Sequence, residues 1–276
     1  MRALTAEQIE ARYERGFGQG TGEGYRPWLQ VHDVPSRGRS TRLNGRRVDR
    51  QHLTLSDIER HTLLAVQRLD AVVDIREQFP LWPLAETLEI ADKLKVGHPT
   101  HPTGRLPILM TSDLVLTVGS GQEKRLEVIA CKPSEELGRK GILEKLEIER
   151  VYWARRGTRW NIVTERDMSA ALVFNLEWID EWHEVSPTKI APADLAAASQ
   201  HLRDLVPEMW GSPLNRICQR CDQDLGLKTG SSIVVFRHAL SRKAWRAPLG
   251  EKIVATKPLP GGVLAALRPD TTMRAA

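Results

Sequence analysis

The sequence predicts a mixed α/β unit over residues 1–166, followed by a mainly helical, winged-helix-like unit over 167–257. Three observations carry that expectation. Residues 108–118 and 126–131 are rich in β-branched and apolar side chains, and Gly119-Ser120-Gly121 between them is turn chemistry, so a strand hairpin stands at the centre of the chain. Around it, helical and strand-like spacings alternate up to about residue 166. Beyond that point the spacing is helical and the charge divides: 166–215 hold eight acidic and three basic residues, 216–257 nine basic and three acidic.

Composition bounds the rest. A chain of 276 residues, 41% hydrophobic and 27% charged, can bury one large core or two smaller ones. No apolar run approaches the roughly 20 residues that span a bilayer, so no membrane partner is expected. Three cysteines (Cys131, Cys218 and Cys221) without a secretory signal fit a reducing cytoplasm. The net charge of +5 is compatible with a polyanionic partner without demanding one.

Taken in order, Thr5 caps a first helix running to about Arg15, with Gln8 in the capping-box position. Five alternate glycines from Gly16 to Gly24 then break regular structure. Residues 1–50 hold ten arginines and no lysine against six acids. This arm is expected to be disordered in isolation, or to lie along DNA with Arg37, Arg39 and Arg42 on phosphates. Asn44-Gly45 signals a tight hairpin. Ser56 opens a helix to about Leu69, residues 71–81 read as a strand, and 84–94 as a helix. A proline-rich loop (98–107) leads into the central hairpin; a long helix (135–156) and a strand (158–164) close the unit. Helices follow at 171–185, 194–210 and 212–227, the last capped by Ser212 with Pro213 first. Residues 230–245 and 252–256 read as short strands or a wing, with Arg242, Lys243 and Arg246 beside Trp245 as a basic patch for DNA. The tail 258–276, rich in Pro, Gly and Ala, is expected to be mobile.

Two charges stand where a buried strand should avoid them: Asp113 in the first strand of the hairpin and Lys132 at the end of the second. Together they can serve a phosphate, the carboxylate holding Mg²⁺ and the ammonium near an attacking water; a salt bridge at the sheet end accounts for them equally well. Ser56-x-x-Glu59 is a capping box, which accounts for Glu59 unless its helix meets the Asp113 strand. Glu149 shares a helical stripe with Ile142, Leu146 and Trp153, either as a buried carboxylate or as a surface partner of Lys145. Asp74, Arg76 and Glu77 crowd one strand and read as its solvated side. Cys218-x-x-Cys221 lies on a helix's apolar face and reads as core, and His98 and His101 lack cysteine partners for a zinc site.

A helix carboxylate, a strand aspartate and a strand-end lysine, in this order, is the arrangement of restriction-endonuclease-like nucleases, a mixed central sheet flanked by helices. The segments GQGTGEGYRPWL, VPSRGRS, SDIE, VVDIREQFPL, TSDLVL, CKPS and LEKLEIERVYW resemble, in this order, the TnsA family, the endonuclease subunits of heteromeric bacterial transposases. The likeness covers about residues 16–165 and is diffuse beyond, where the family carries a winged-helix-like domain. It implies a bacterial, nucleoid-associated endonuclease that cuts transposon-end double-stranded DNA at the 5′ ends. A TnsB-like transposase of RNase H type would cut the 3′ ends, and a TnsC-like AAA+ ATPase would engage the complex. It implies catalytic roles for Glu59, Asp113 and Lys132, with Mg²⁺ (or Mn²⁺) held by Glu59, Asp113 and the Cys131 backbone carbonyl. Glu149 and Glu77 are further candidates. The family usually has Gln two residues before the lysine, and Ala130 stands there in this chain, which implies weaker metal affinity or slower cutting. Two alternatives remain open: a non-catalytic assembly factor bridging transposase and ATPase, and a stand-alone repair or restriction-type nuclease.

Overall fold

The computed structural model describes residues 3–30, 33, 40–188 and 190–267. The chain divides into two compact units, Met1–Asp167 and Met168–Ala276.

In the first unit, β3 (Val72–Pro80), β4 (Thr111–Val118), β5 (Arg125–Cys131) and β6 (Arg159–Val163) form one sheet in that order. The first three are antiparallel, and β6 joins β5 in parallel after a helical crossover. The central hairpin therefore forms as its β-branched runs and glycine turn require, the first strand starting three residues later than expected. Val115 and Val128 stand opposite each other and pack with Leu81, Ile90, Ile148, Tyr152 and Trp153 of the elements around α3 (Leu84–Leu94) and α4 (Lys140–Ala154). Cys131 Sγ meets Thr62 Oγ1 of α2 (Asp57–Val66), so α2 lies against the other side of the strands. The long helix expected over 135–156 is two elements: a short 3₁₀ turn at Ser134–Gly138, then α4.

The N-terminal arm corrects the expectation of disorder for every residue described. α1 (Ala6–Glu14) begins in the capping box of Thr5 and Gln8, and its Ile9 is buried with Phe17, Trp28 and Leu109. The glycine loop is tied to β3: Gly22 N–H donates to Asp74 Oδ1 at 3.3 Å and Tyr25 Oη to the Glu77 carbonyl at 3.0 Å. Gly18 has φ +76°, and a Cβ there would meet the Pro80 ring at 2.2 Å, so only glycine permits this approach. Asn44-Gly45 does open a hairpin, β1 (Thr41–Asn44) against β2 (Gln51–Thr54), but residues 45–50 make the connection in place of a two-residue turn. Arg37 and Arg39 lie outside the described residues; Arg42 is exposed on β1.

The second unit is helical: α5 (Ala170–Asp180), α6 (Pro192–Glu208), α7 (Leu214–Asp224), α8 (Ser231–Ser241) and α9 (Gly261–Leu267). Pro213 is the cap of α7, and Ser212 does not cap it. The expected wing is overturned, because residues 231–241 form α8 and no strand occurs among the described residues of this unit. The run Ile233-Val234-Val235 has strand propensity, yet Val235, Phe236, Ala239 and Leu240 are buried at helical spacing, so packing decides. Asp222 fixes the start of α8 by accepting from Gly230 N–H (2.7 Å) and Ser232 N–H (2.8 Å). Trp245 is buried edge-on against Phe236, while Arg242 and Arg246 are exposed and Arg242 bonds His183 at 3.0 Å and pairs with Glu184, so these basic residues follow the end of a helix and do not sit on a wing. Within the tail expected to be mobile, α9 buries Val263, Leu264 and Leu267; residues 268–276 lie outside the described residues. Both thiols of α7 are buried and burial raises their pKa, as core cysteines require.

Candidate active site

Asp113 enters from β4, and its Oδ2 accepts two bonds from the end of β5: Cys131 N–H at 2.7 Å and Lys132 Nζ at 2.8 Å. Lys132 Nζ also donates to the Cys131 carbonyl at 2.8 Å. An ammonium has three donors, so one remains for a third partner. Burial works against the charge on Lys132, but Asp113 outweighs it and the pKa rises above the ordinary lysine range. The lysine is thus held as a cation.

Glu59 comes from the first turn of α2. Ser56 Oγ accepts the Glu59 N–H, so the hydroxyl caps the helix as the spacing predicts. The glutamate side chain does not close the box in the usual way, because its Oε2 accepts Leu55 N–H at 2.9 Å and its Oε1 the Ser56 hydroxyl at 3.0 Å. Capping and proximity to the site are both true of it. Burial first, and then the charge of Asp113, push its pKa up to about 7.

Glu149 completes the group. The crossover from β5 to β6 lays α4 along the sheet, and the stripe of Leu146, Glu149 and Trp153 is buried. This removes the surface pairing with Lys145. Burial and the nearby Asp113 push the pKa of Glu149 up to about 7, and its Oε1 has no hydrogen-bond partner among the described residues. Trp153 Nε1 donates to Ser112 Oγ at 2.8 Å, anchoring α4 to the residue before Asp113.

Glu77 does not join this group. It is fully buried, and both oxygens are occupied: Arg50 donates to Oε1 (2.7 Å) and Oε2 (2.6 Å), His52 Nδ1 lies 2.9 Å from Oε2, and Leu53 N–H donates to Oε1. The reading of Asp74, Arg76 and Glu77 as a solvated face is overturned, because all three are buried. Arg50 and His52 return from a hairpin some 25 residues earlier in the chain, and no local spacing announces that.

Glu59 and Glu149 each feel the charges of Asp113 and Lys132, and three carboxylates against one ammonium leave the site with an excess of negative charge. Among the described residues no three His, Cys, Asp or Glu side chains converge as ligands of a single ion. Mg²⁺ asks for less: one or two carboxylates, with waters completing its shell. Asp113 Oδ1, outside both bonds made by Oδ2, and the buried unpartnered Glu149 Oε1 fit such a cation. Ala130 is fully buried and offers no side-chain oxygen, and the Cys131 carbonyl already carries the Lys132 ammonium.

Sequence comparison identifies the lineage. Residues 69–165 match the TnsA-like endonuclease N-terminal family, and residues 167–249 match the TnsA endonuclease C-terminal family. The Tn7 transposition protein TnsA of Escherichia coli is 33% identical over 230 residues, which are 83% of this chain and 81% of that protein. The chain belongs to the TnsA endonuclease family. The two family matches meet at the boundary between the compact units, and the N-terminal match contains Asp113, Lys132 and Glu149. Glu59 lies upstream of it and folding brings it within reach of the charges of Asp113 and Lys132. No helix among the described residues is long and apolar enough to cross a membrane.

Proposed function

We propose that this TnsA-family chain is the metal-dependent endonuclease that cuts the 5′ ends of a transposon, beside a TnsB-like transposase that cuts the 3′ ends. A TnsC-like ATPase would engage the assembly. The observation that carries the reading is the Asp113–Lys132 contact at 2.8 Å, with Glu59 delivered to it from another element.

Glu59 and Asp113 would hold Mg²⁺, which Mn²⁺ would replace, with Glu149 Oε1 as an additional ligand. When bound, the cation supplies Lewis-acid polarisation of the scissile phosphate and acidification of a water. Lys132, held charged by Asp113, directs its remaining N–H at the water or phosphate and offsets the negative charge that grows during in-line attack. A charged ammonium cannot take a proton, so orientation and charge offset are its part. The products are a 3′-hydroxyl and a 5′-phosphate. Arg42, exposed on β1, would reach the DNA backbone. Lys243, Arg246 and Arg203 line one cavity of about 240 Å³, a second place for phosphate contact to which Arg242 is adjacent in sequence.

Glu59→Gln tests the reading. Glutamine keeps an oxygen for Leu55 N–H and leaves the Ser56 cap intact. The variant should melt near the parent yet lose at least about a hundredfold in 5′-end cutting when assembled with its partners. Parental cutting would reduce Glu59 to a cap.

A further inference from the structure

Gln78 is the one non-glycine residue of the sheet with a left-handed backbone, φ +49°, and it is 2% exposed. The register pairs Glu77 with Leu114 and Phe79 with Ser112, which leaves Gln78 across from Asp113 and outside the ladder. Long side chains avoid this conformation unless the surroundings impose it, and such outliers gather where geometry serves a site. Three partners from three separate parts of the chain impose it here. Its carbonyl accepts Trp28 N–H at 3.2 Å, its Oε1 accepts the Thr111 hydroxyl at 3.2 Å, and its Nε2 donates to Glu59 Oε2 at 3.1 Å. The carboxylate only accepts, so it fixes Nε2 toward Glu59, and the Thr111 hydroxyl then serves the Oε1 end of the amide. With Leu55 N–H and Gln78 Nε2 both on Oε2, the Glu59 carboxylate is locked in rotation.

We infer that Gln78 is a positioning residue of the nuclease site: its backbone turn takes the amide out of the strand ladder to orient Glu59 toward a divalent cation shared with Asp113. The inference rests on the metal-site reading given above. A side chain that orients a ligand sets metal affinity without touching the metal, and its loss costs about 10- to 100-fold.

The test uses the full chain and Mn²⁺ alone as probe, read by the rise in melting temperature as Mn²⁺ is added without DNA. Gln78→Gly suits the left-handed backbone and deletes the amide. Gln78→Asn tolerates the same backbone but is one methylene too short to span Thr111 and Glu59. Both should melt, without metal, close to the parent. Both should need about tenfold or more Mn²⁺ for the half-maximal shift, and the Mn²⁺ needed for half-maximal cutting should rise alike while the KM for DNA holds. A merely structural role would lower the melting temperature and leave the Mn²⁺ requirement alone, and that result overturns the inference. If the glycine variant fails to fold, the asparagine variant decides by the same criterion. Asp113→Ala separates the two levels. If it too responds to Mn²⁺ as the parent does, the metal-site reading itself fails. If it loses the response while the Gln78 variants keep it, only the positioning role falls.

Discussion

Lys132 carries two interactions at once, to Asp113 Oδ2 and to its own neighbour's carbonyl, and both are charge-assisted bonds of 2.8 Å. Lys132→Ala should leave binding to transposon-end DNA within a few-fold and lower the rate of 5′-end cutting by about a hundredfold or more, measured in single-turnover reactions. An equal loss of binding would mean that the lysine only holds DNA. Asp113, Lys132 and Glu149 were legible as charges on otherwise apolar strands or stripes. Glu59 was legible as a residue, although its spacing spoke for the cap. Gln78 was not, since a neutral amide beside Glu77 carries no signal and its part comes from a backbone angle. The solvated reading of Glu77 failed because its partners, Arg50 and His52, are supplied by a distant hairpin.

The β1–β2 hairpin shows how an element is held. Burial favours the neutral form of Glu77, but the bonds from Arg50 and His52 win and bring its pKa down to about 2. A carboxylate depressed on folding stabilises the protein above its unfolded pKa near 4.5, and that contribution drains away as the pH falls toward 2. The shift corresponds to roughly 3 kcal/mol. In urea unfolding, Glu77→Gln should cost most at pH 6, and the gap to the parent should shrink as the pH falls toward 3. A gap independent of pH would mean that the pairing is not what holds the hairpin. In the helical unit, Asp222→Ala removes two backbone bonds from a buried carboxylate at the start of α8. It should destabilise the chain by about 2 kcal/mol by thermal or urea melt, while Asp222→Asn, which keeps one acceptor, costs less. The helices of this unit were legible from spacing except two: α8, where a β-branched run imitated a strand until its burial pattern was known, and α9, which lies in a stretch read as a mobile tail.

At the scale of the whole chain, the sequence order helix carboxylate, strand aspartate, strand-end lysine becomes a site because β4 and β5 are neighbours, α2 packs against them, and α4 shares a core with them. The α/β unit was legible because strand and helix spacings alternate along it, and the resemblance to TnsA-family segments is densest there. The N-terminal arm was not, because its glycines signal disorder while Ile9, Phe17 and Trp28 supply a core of their own with Leu109. In the proposed reaction this chain, and not its partner, breaks the 5′ strands. The most direct measurement maps cut strands at both transposon ends in the assembled reaction with Asp113→Ala. The account predicts that 5′-end cuts fall on the order of a thousandfold or more while partner-made 3′-end cuts continue. Undiminished 5′ cutting by that variant would contradict it.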